Sequence, residues 1–116
     1  MTAEPQELTA ARFARWWRET GERELCQVLF WRWDPLGVSD YFPNTADEYD
    51  GYAPGVVALL RLGVGEDVLA DHLAFLERET MGLLPREYET ARTDVAQLLV
   101  AWFVNSIDAW AQHGPR

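Results

Sequence analysis

Residues 22–33 read ERELCQVLFWRW. Taken alone, the last six residues, VLFWRW, pass as a β-strand, being rich in β-branched and aromatic side chains. In context the periodicity is helical. Leu25, Val28, Leu29 and Phe30 form one wide apolar stripe, which predicts a central helix over 22–33. Asp34-Pro35 ends it, because a residue before proline is pushed out of the α region. No other part of the chain alternates with period two for long, so the fold class is all-α.

Working outward, Phe13, Trp16 and Trp17 stand at i, i+3, i+4 and predict a first helix over 6–18, with Gly21 as the break before the second. Residues 34–46 hold the turn formers Pro35, Gly37, Ser39, Asp40, Pro43 and Asn44 and read as a loop. The tetrad TADE, Thr45 to Glu48, has capping-box form, with Thr45 at the N-cap and Glu48 three residues on. It predicts a helix starting near Ala46, as either a short turn ending near Tyr52 with a fresh start at Pro54 or one kinked helix to Leu62. A fourth helix is expected over 66–81, with Val68, Leu69, His72, Leu73 and Leu76 inside and Glu66 and Asp67 favouring its first turn. A fifth is expected over 86–112, carrying Val95, Leu98, Leu99, Trp102, Phe103, Ile107 and Trp110 at helical spacing. The expected architecture is one compact domain, 1–116, of about five helices with an ordered acidic loop between helices two and three.

The chain has 116 residues, ten Arg, no Lys and nineteen acids, for a net charge of −9. This charge disfavours nucleic acid and anionic membrane surfaces as partners. A basic protein partner, or plain solubility, fits the charge better. Arg without Lys suggests a GC-rich bacterial genome. Cys26 is the single cysteine, so no internal disulfide is expected. The opening MTAEPQELTAARF lacks a basic and an apolar signal region, and no stretch reaches membrane-span length. A cytoplasmic protein is therefore expected.

The negative charge is segregated. Residues 34–52, DPLGVSDYFPNTADEYDGY, hold five acids and no Arg, a net of −5 out of the −9. Half of this stretch has a structural reading: Asp34, Pro35, Gly37, Thr45 and Glu48 fix turns and caps, and Trp33, Leu36 and Val38 anchor the loop in the core. The other reading is recognition. Asp40, Tyr41, Phe42, Asp47, Tyr49, Asp50 and Tyr52 combine ring faces with carboxylates, a combination that suits Arg and Lys. A structural role predicts buried tyrosines; a contact surface predicts exposed ones. EF-hand spacing is absent and no His or Cys stands near, so no metal or other cofactor is expected. There is no hydrolase, P-loop or zinc-protease motif, so an enzyme is not expected; a carboxylate-dependent enzyme or metal-dependent protein is the lesser alternative.

The motifs W-D-P-L-G at Trp33 to Gly37 and D-E-Y-D-G-Y at Asp47 to Tyr52 carry a resemblance. The chain resembles a group of small uncharacterised bacterial proteins with W-D-P-[aliphatic]-G followed by D-E-Y-D-x-Y. The segment ETMGL at 79–83 also fits the type. The resemblance spans roughly residues 24–84, implies a small helical fold and carries over no catalytic residue. The leading expectation is a non-enzymatic interaction module, in concrete form an immunity-type protein masking a basic partner. The alternative is a structural domain with no ligand site, forming a homodimer through surplus apolar residues of the last helix.

Overall fold

In a computed structural model, residues 9–83 and 89–113 are described. They form four helices and no strand. Helix α1 covers residues 10–33, α2 is Ala53–Leu62, α3 covers 66–80 and α4 is Glu89–His113. The all-α expectation holds, with four helices where five were counted. The difference lies at Gly21.

Gly21 does not break the chain. Helix α1 passes through it at φ −63° and ψ −45°, so the two helices expected over 6–18 and 22–33 are one. Its α segments Ala10–Trp16 and Glu22–Val28 alternate with wider π turns, Trp17–Gly21 and Leu29–Trp33. In the first π turn the Glu22 N–H reaches back five residues to the Trp17 carbonyl. The reason for glycine here is proximity rather than backbone freedom. The Trp16 ring lies across Gly21, and a Cβ there would stand 2.7 Å from two ring carbons. Thr9 caps the start, its Oγ1 accepting from the Arg12 N–H at 3.2 Å. Residues 6–8, expected to open the first helix, lie outside the described residues.

The core is built on α1, as its wide stripe predicts. Trp16, Leu25 and Leu29 are fully buried, and Phe30 and Trp33 nearly so. Val56, Val57 and Leu60 of α2, Leu69, Leu73 and Leu76 of α3, and Val95, Leu99, Ile107 and Trp110 of α4 pack round them. Burying one indole removes roughly 200 Å² from water, about 5 kcal/mol before chain entropy is counted. Of the apolar residues expected in surplus on the last helix, Leu99 and Ile107 are buried and Leu98, Trp102, Phe103 and Val104 are partly buried. Trp102 and Phe103 are half-buried against Trp16, and none of the large exposed apolar side chains lies on the described part of α4. Residues 86–88, expected to begin that helix, lie outside the described residues.

Buried indoles need acceptors for their N–H groups. Trp33 donates to Glu77 Oε2 at 2.9 Å, Trp102 to Glu24 Oε1 at 3.1 Å and Trp110 to Glu19 Oε1 at 3.3 Å. Trp16 donates to Ser106 Oγ at 3.1 Å, and that hydroxyl donates onward to Glu24 Oε1 at 2.6 Å. Glu77 is itself buried, with Arg92 Nε 3.8 Å from its other oxygen. Several acids that read as surface charge are thus acceptors that fix the rotation of α1 against α3 and α4. His72 is half-buried in α3, and burial lowers its pKa, in keeping with a packed ring. No helix among the described residues is long and apolar enough to cross a membrane.

Candidate functional site

The site begins where α1 stops. Asp34 takes the left-handed conformation, φ 36° and ψ 58°, and its N–H bonds the Leu29 carbonyl at 3.1 Å. Among non-glycine residues Asp and Asn enter this region most readily. Gly37, also left-handed at φ 68°, completes the turn through its N–H to the Asp34 carbonyl at 3.1 Å. The chain is thereby turned back along α1, bringing Phe42 to Trp31.

The Asp34 carboxylate then ties the loop together. Its Oδ1 accepts from the Val38 N–H at 2.9 Å and from the Tyr49 hydroxyl at 2.6 Å; its Oδ2 accepts from the Ser39 N–H at 3.1 Å. The Tyr49 oxygen in turn accepts the Leu36 N–H at 3.0 Å. Partial burial pushes the Asp34 pKa up, but these donors outweigh it and hold the carboxyl below its ordinary range. Burial first, and then the bond to Asp34, pushes the Tyr49 hydroxyl well above its ordinary value. One carboxylate and one phenol therefore clamp the two ends of the loop, 15 residues apart.

The capping-box reading of Thr45 and Glu48 is overturned. From Pro43 to Tyr52 the chain makes successive tight turns: the N–H groups of Ala46, Glu48, Asp50 and Tyr52 each bond the carbonyl three positions back, at Pro43, Thr45, Asp47 and Tyr49. A single 3₁₀ turn, Asp50–Tyr52, leads into α2 at Ala53, with Pro54 accommodated in its first turn. The Thr45 hydroxyl is spent elsewhere, donating to the Val38 carbonyl at 2.6 Å, and Glu48 is exposed. The physical cause is Tyr49. To reach Asp34 it must turn inward, against Trp33 at 5.4 Å and Phe30 at 6.5 Å between ring centroids. We expect Thr45→Val to cost about 1 kcal/mol in a denaturation experiment, for the lost hydroxyl bond. Glu48→Ala should stay within about 0.5 kcal/mol of wild type, as a surface change does.

The expected contact residues divide accordingly. Tyr49 is 1% exposed and belongs to the scaffold, which withdraws it from the surface. Tyr52 is half-buried, its ring edge-on to Trp33. Asp40, Asp47 and Asp50 are exposed, as are Tyr41 at 69% and Phe42 at 53%. Trp33 and Pro35 are buried as anchors; Leu36, expected inside, is exposed. The structure adds one residue to the surface. Trp31 is 49% exposed and its ring lies 5.2 Å from that of Phe42. The signal for it was present: Leu25, Leu29 and Trp33 recur at i, i+4, i+8, which leaves position 31 on the far side of α1.

Between α1 and the loop runs a groove of about 430 Å³, lined by Arg18, Glu22, Arg23, Trp31, Phe42 and Asp50 among others. Cys26 lies in its wall. Burial, the bond to Asp50, and the charges of Asp50 and Glu22 push its thiol up to about 12. Such a thiol is almost wholly protonated at neutral pH and a poor nucleophile. Alkylation of Cys26 at pH 8 should be slower than that of a free thiol by roughly a hundred-fold or more. Asp50→Asn should accelerate it, since the substitution removes the second and third of those causes. Among the described residues no group of three or more His, Cys, Asp or Glu is placed to hold a metal ion.

No family model, curated protein or solved structure matches the chain.

Proposed function

We propose that this protein is a non-enzymatic interaction module, and that the surface formed by the loop and the outer face of α1 docks a basic protein. One observation carries the reading: the exposed Trp31–Phe42 pair lines one groove with the exposed Asp50, and the segment that supplies Phe42 and Asp50, 34–52, contains no cation of its own. A guanidinium or ammonium over a ring face gains about 0.5–1 kcal/mol when exposed and about 2 when desolvated, and a carboxylate alongside adds a charge-assisted hydrogen bond. The Asp34–Tyr49 clamp supports the same reading. A surface already ordered loses less entropy on binding than a loop that must first fold. The net charge of −9 adds long-range steering toward a cationic partner. The concrete form of the proposal is immunity-type masking of a basic toxin in the cytoplasm.

The test is capture from extract of the native host on immobilised wild type and on an Asp40→Asn/Asp47→Asn/Asp50→Asn variant, followed by binding of the identified partner. The reading expects a basic protein retained by wild type and largely lost by the variant at about 50 mM salt, with the difference shrinking near 500 mM, where screening acts within a few ångströms. A partner bound equally by both proteins at low salt would refute it.

A further inference from the structure

We infer that a second groove, between α1 and α2, binds a small amphipathic carboxylate, with its tail along the apolar lining and its charge on Arg61. The site lies apart from 34–52 and goes beyond the reading of that surface. The groove holds about 520 Å³, within the usual range for small-molecule sites. From α1 it takes Phe13 and Trp17, both half-buried and four residues apart, hence on one face. From α2 it takes the buried Val57 and the exposed Ala58 and Leu62. Leu62 is 77% exposed, the most of any large apolar side chain described. The α2 part of the lining runs from Pro54 to Leu62. Eight steps of helix make roughly 12 Å, about the length of an extended chain of eight to ten carbons.

Arg61 is the one charged residue of this lining. Its guanidinium carbon sits 4.3 Å from the centroid of the Phe13 ring, and among the described residues no carboxylate pairs with it. A ring face holds a guanidinium in place without using its N–H donors, which stay available to a carboxylate in paired form. The neighbouring charges leave this cation uncompensated. Helix α2 contains no acid, and α1 has none before Glu19. Glu19 pairs with Arg15 at 2.7 Å and also feels the charge of Arg18. Glu66 and Asp67, the acids nearest Arg61 in sequence, stand in the first turn of α3 and do not line the groove. The Leu59 and Leu60 carbonyls at the end of α2 are taken by the Val64 and Gly63 amides. A neutral apolar ligand would leave Arg61 unused, and a cation would be repelled by it. An acidic protein would bring its own negative field against a net charge of −9, whereas a small monoacid brings a single charge. The chemistry of the groove therefore selects a short apolar tail with one carboxylate.

The experiment titrates octanoate, octanol and octylammonium, three head groups on one tail, to millimolar concentration into isotopically labelled full-length protein. The readouts are the Trp17 indole resonance and the amides of residues 55–62. The inference expects octanoate to shift both and to bind there several-fold tighter than octanol, with octylammonium weakest. Decanoate should bind several-fold tighter than octanoate, because two more methylenes leave water. Arg61 is exposed, so its replacement leaves the core intact, which circular dichroism checks. Arg61→Gln should remove the advantage of octanoate over octanol, and Arg61→Glu should reverse the order in favour of octylammonium. Equal binding of octanoate and octanol by wild type, or an octanoate preference that survives Arg61→Glu, overturns the inference. So does an unmoved Trp17 indole. Movement of the same resonances on dilution without ligand also overturns it, since a second copy of the chain would then be what covers the groove.

Discussion

Asp34→Ala should lower the free energy of unfolding by about 3 kcal/mol, the largest effect expected of any polar substitution in the loop. Two costs combine. The Tyr49 hydroxyl loses its acceptor at 2.6 Å while its ring remains buried, and the Val38 and Ser39 amides lose theirs. Alanine must also hold φ 36°, a conformation that costs an ordinary L-residue about 1 kcal/mol. Asp34→Asn keeps the turn preference and one acceptor oxygen, so it should cost about half as much. Asp34→Gly removes the strain but not the loss of acceptors and should fall between the two. The pH dependence follows from the direction of the Asp34 shift. Its folded pKa lies below the ordinary value, so its stabilisation is fully present above the unfolded pKa of about 3.9 and is lost as pH falls through the folded value. Urea titrations from neutral pH down to about pH 3 should show wild type losing stability on that acid limb. The Asn variant should lack that part of the loss.

Gly21→Ala should destabilise the protein by about 1–3 kcal/mol, the usual cost of overpacking a core. Helix propensity alone predicts the opposite, a gain of about 1 kcal/mol in a helix interior. The sign therefore separates the two accounts. A methyl group at Gly21 would stand 2.7 Å from the Trp16 ring, and that ring has nowhere to go. It is fully buried, meets Phe103 edge-on at 5.6 Å and Trp102 at 5.8 Å, and is held by its N–H to Ser106. Relief would require moving α1 and α4 apart. A thermal melt of the Ala variant that matches or exceeds wild type would show that Trp16 can repack.

Much of the fold was legible in the sequence. The stripes of α1, α3 and α4 named most of the buried residues, because packing follows the 3.6-residue period directly, although Val68, expected inside, is 49% exposed. Gly21 misled because glycine has two meanings in a helical pattern: it stops helices, and it admits a neighbouring side chain. Only the position of Trp16 in three dimensions decides between them. Thr45 misled for a related reason. A capping box is a local signal, and here it loses to a bond between Asp34 and Tyr49 that spans 15 residues and draws the chain into tight turns. At the candidate site, the exposure of Tyr41 and Phe42 was foreseeable as one of two readings, whereas the burial of Tyr49 depended on that long-range pairing. Trp31 sat within reach, since its position off the 25, 29, 33 line places it outward. The groove was not legible at all. It exists because the loop folds back along α1, and no spacing in the sequence fixes how far.

We propose that partners meet this protein on the clamped loop and the outer face of α1. The most direct measurement is an amide and indole chemical-shift footprint of the captured partner on the labelled protein. The Trp31 indole and the amides of residues 38–50 should shift together, and these shifts should weaken as salt rises. A footprint lying on the exposed residues of α3 or α4, with the Trp31 indole unmoved, would contradict it.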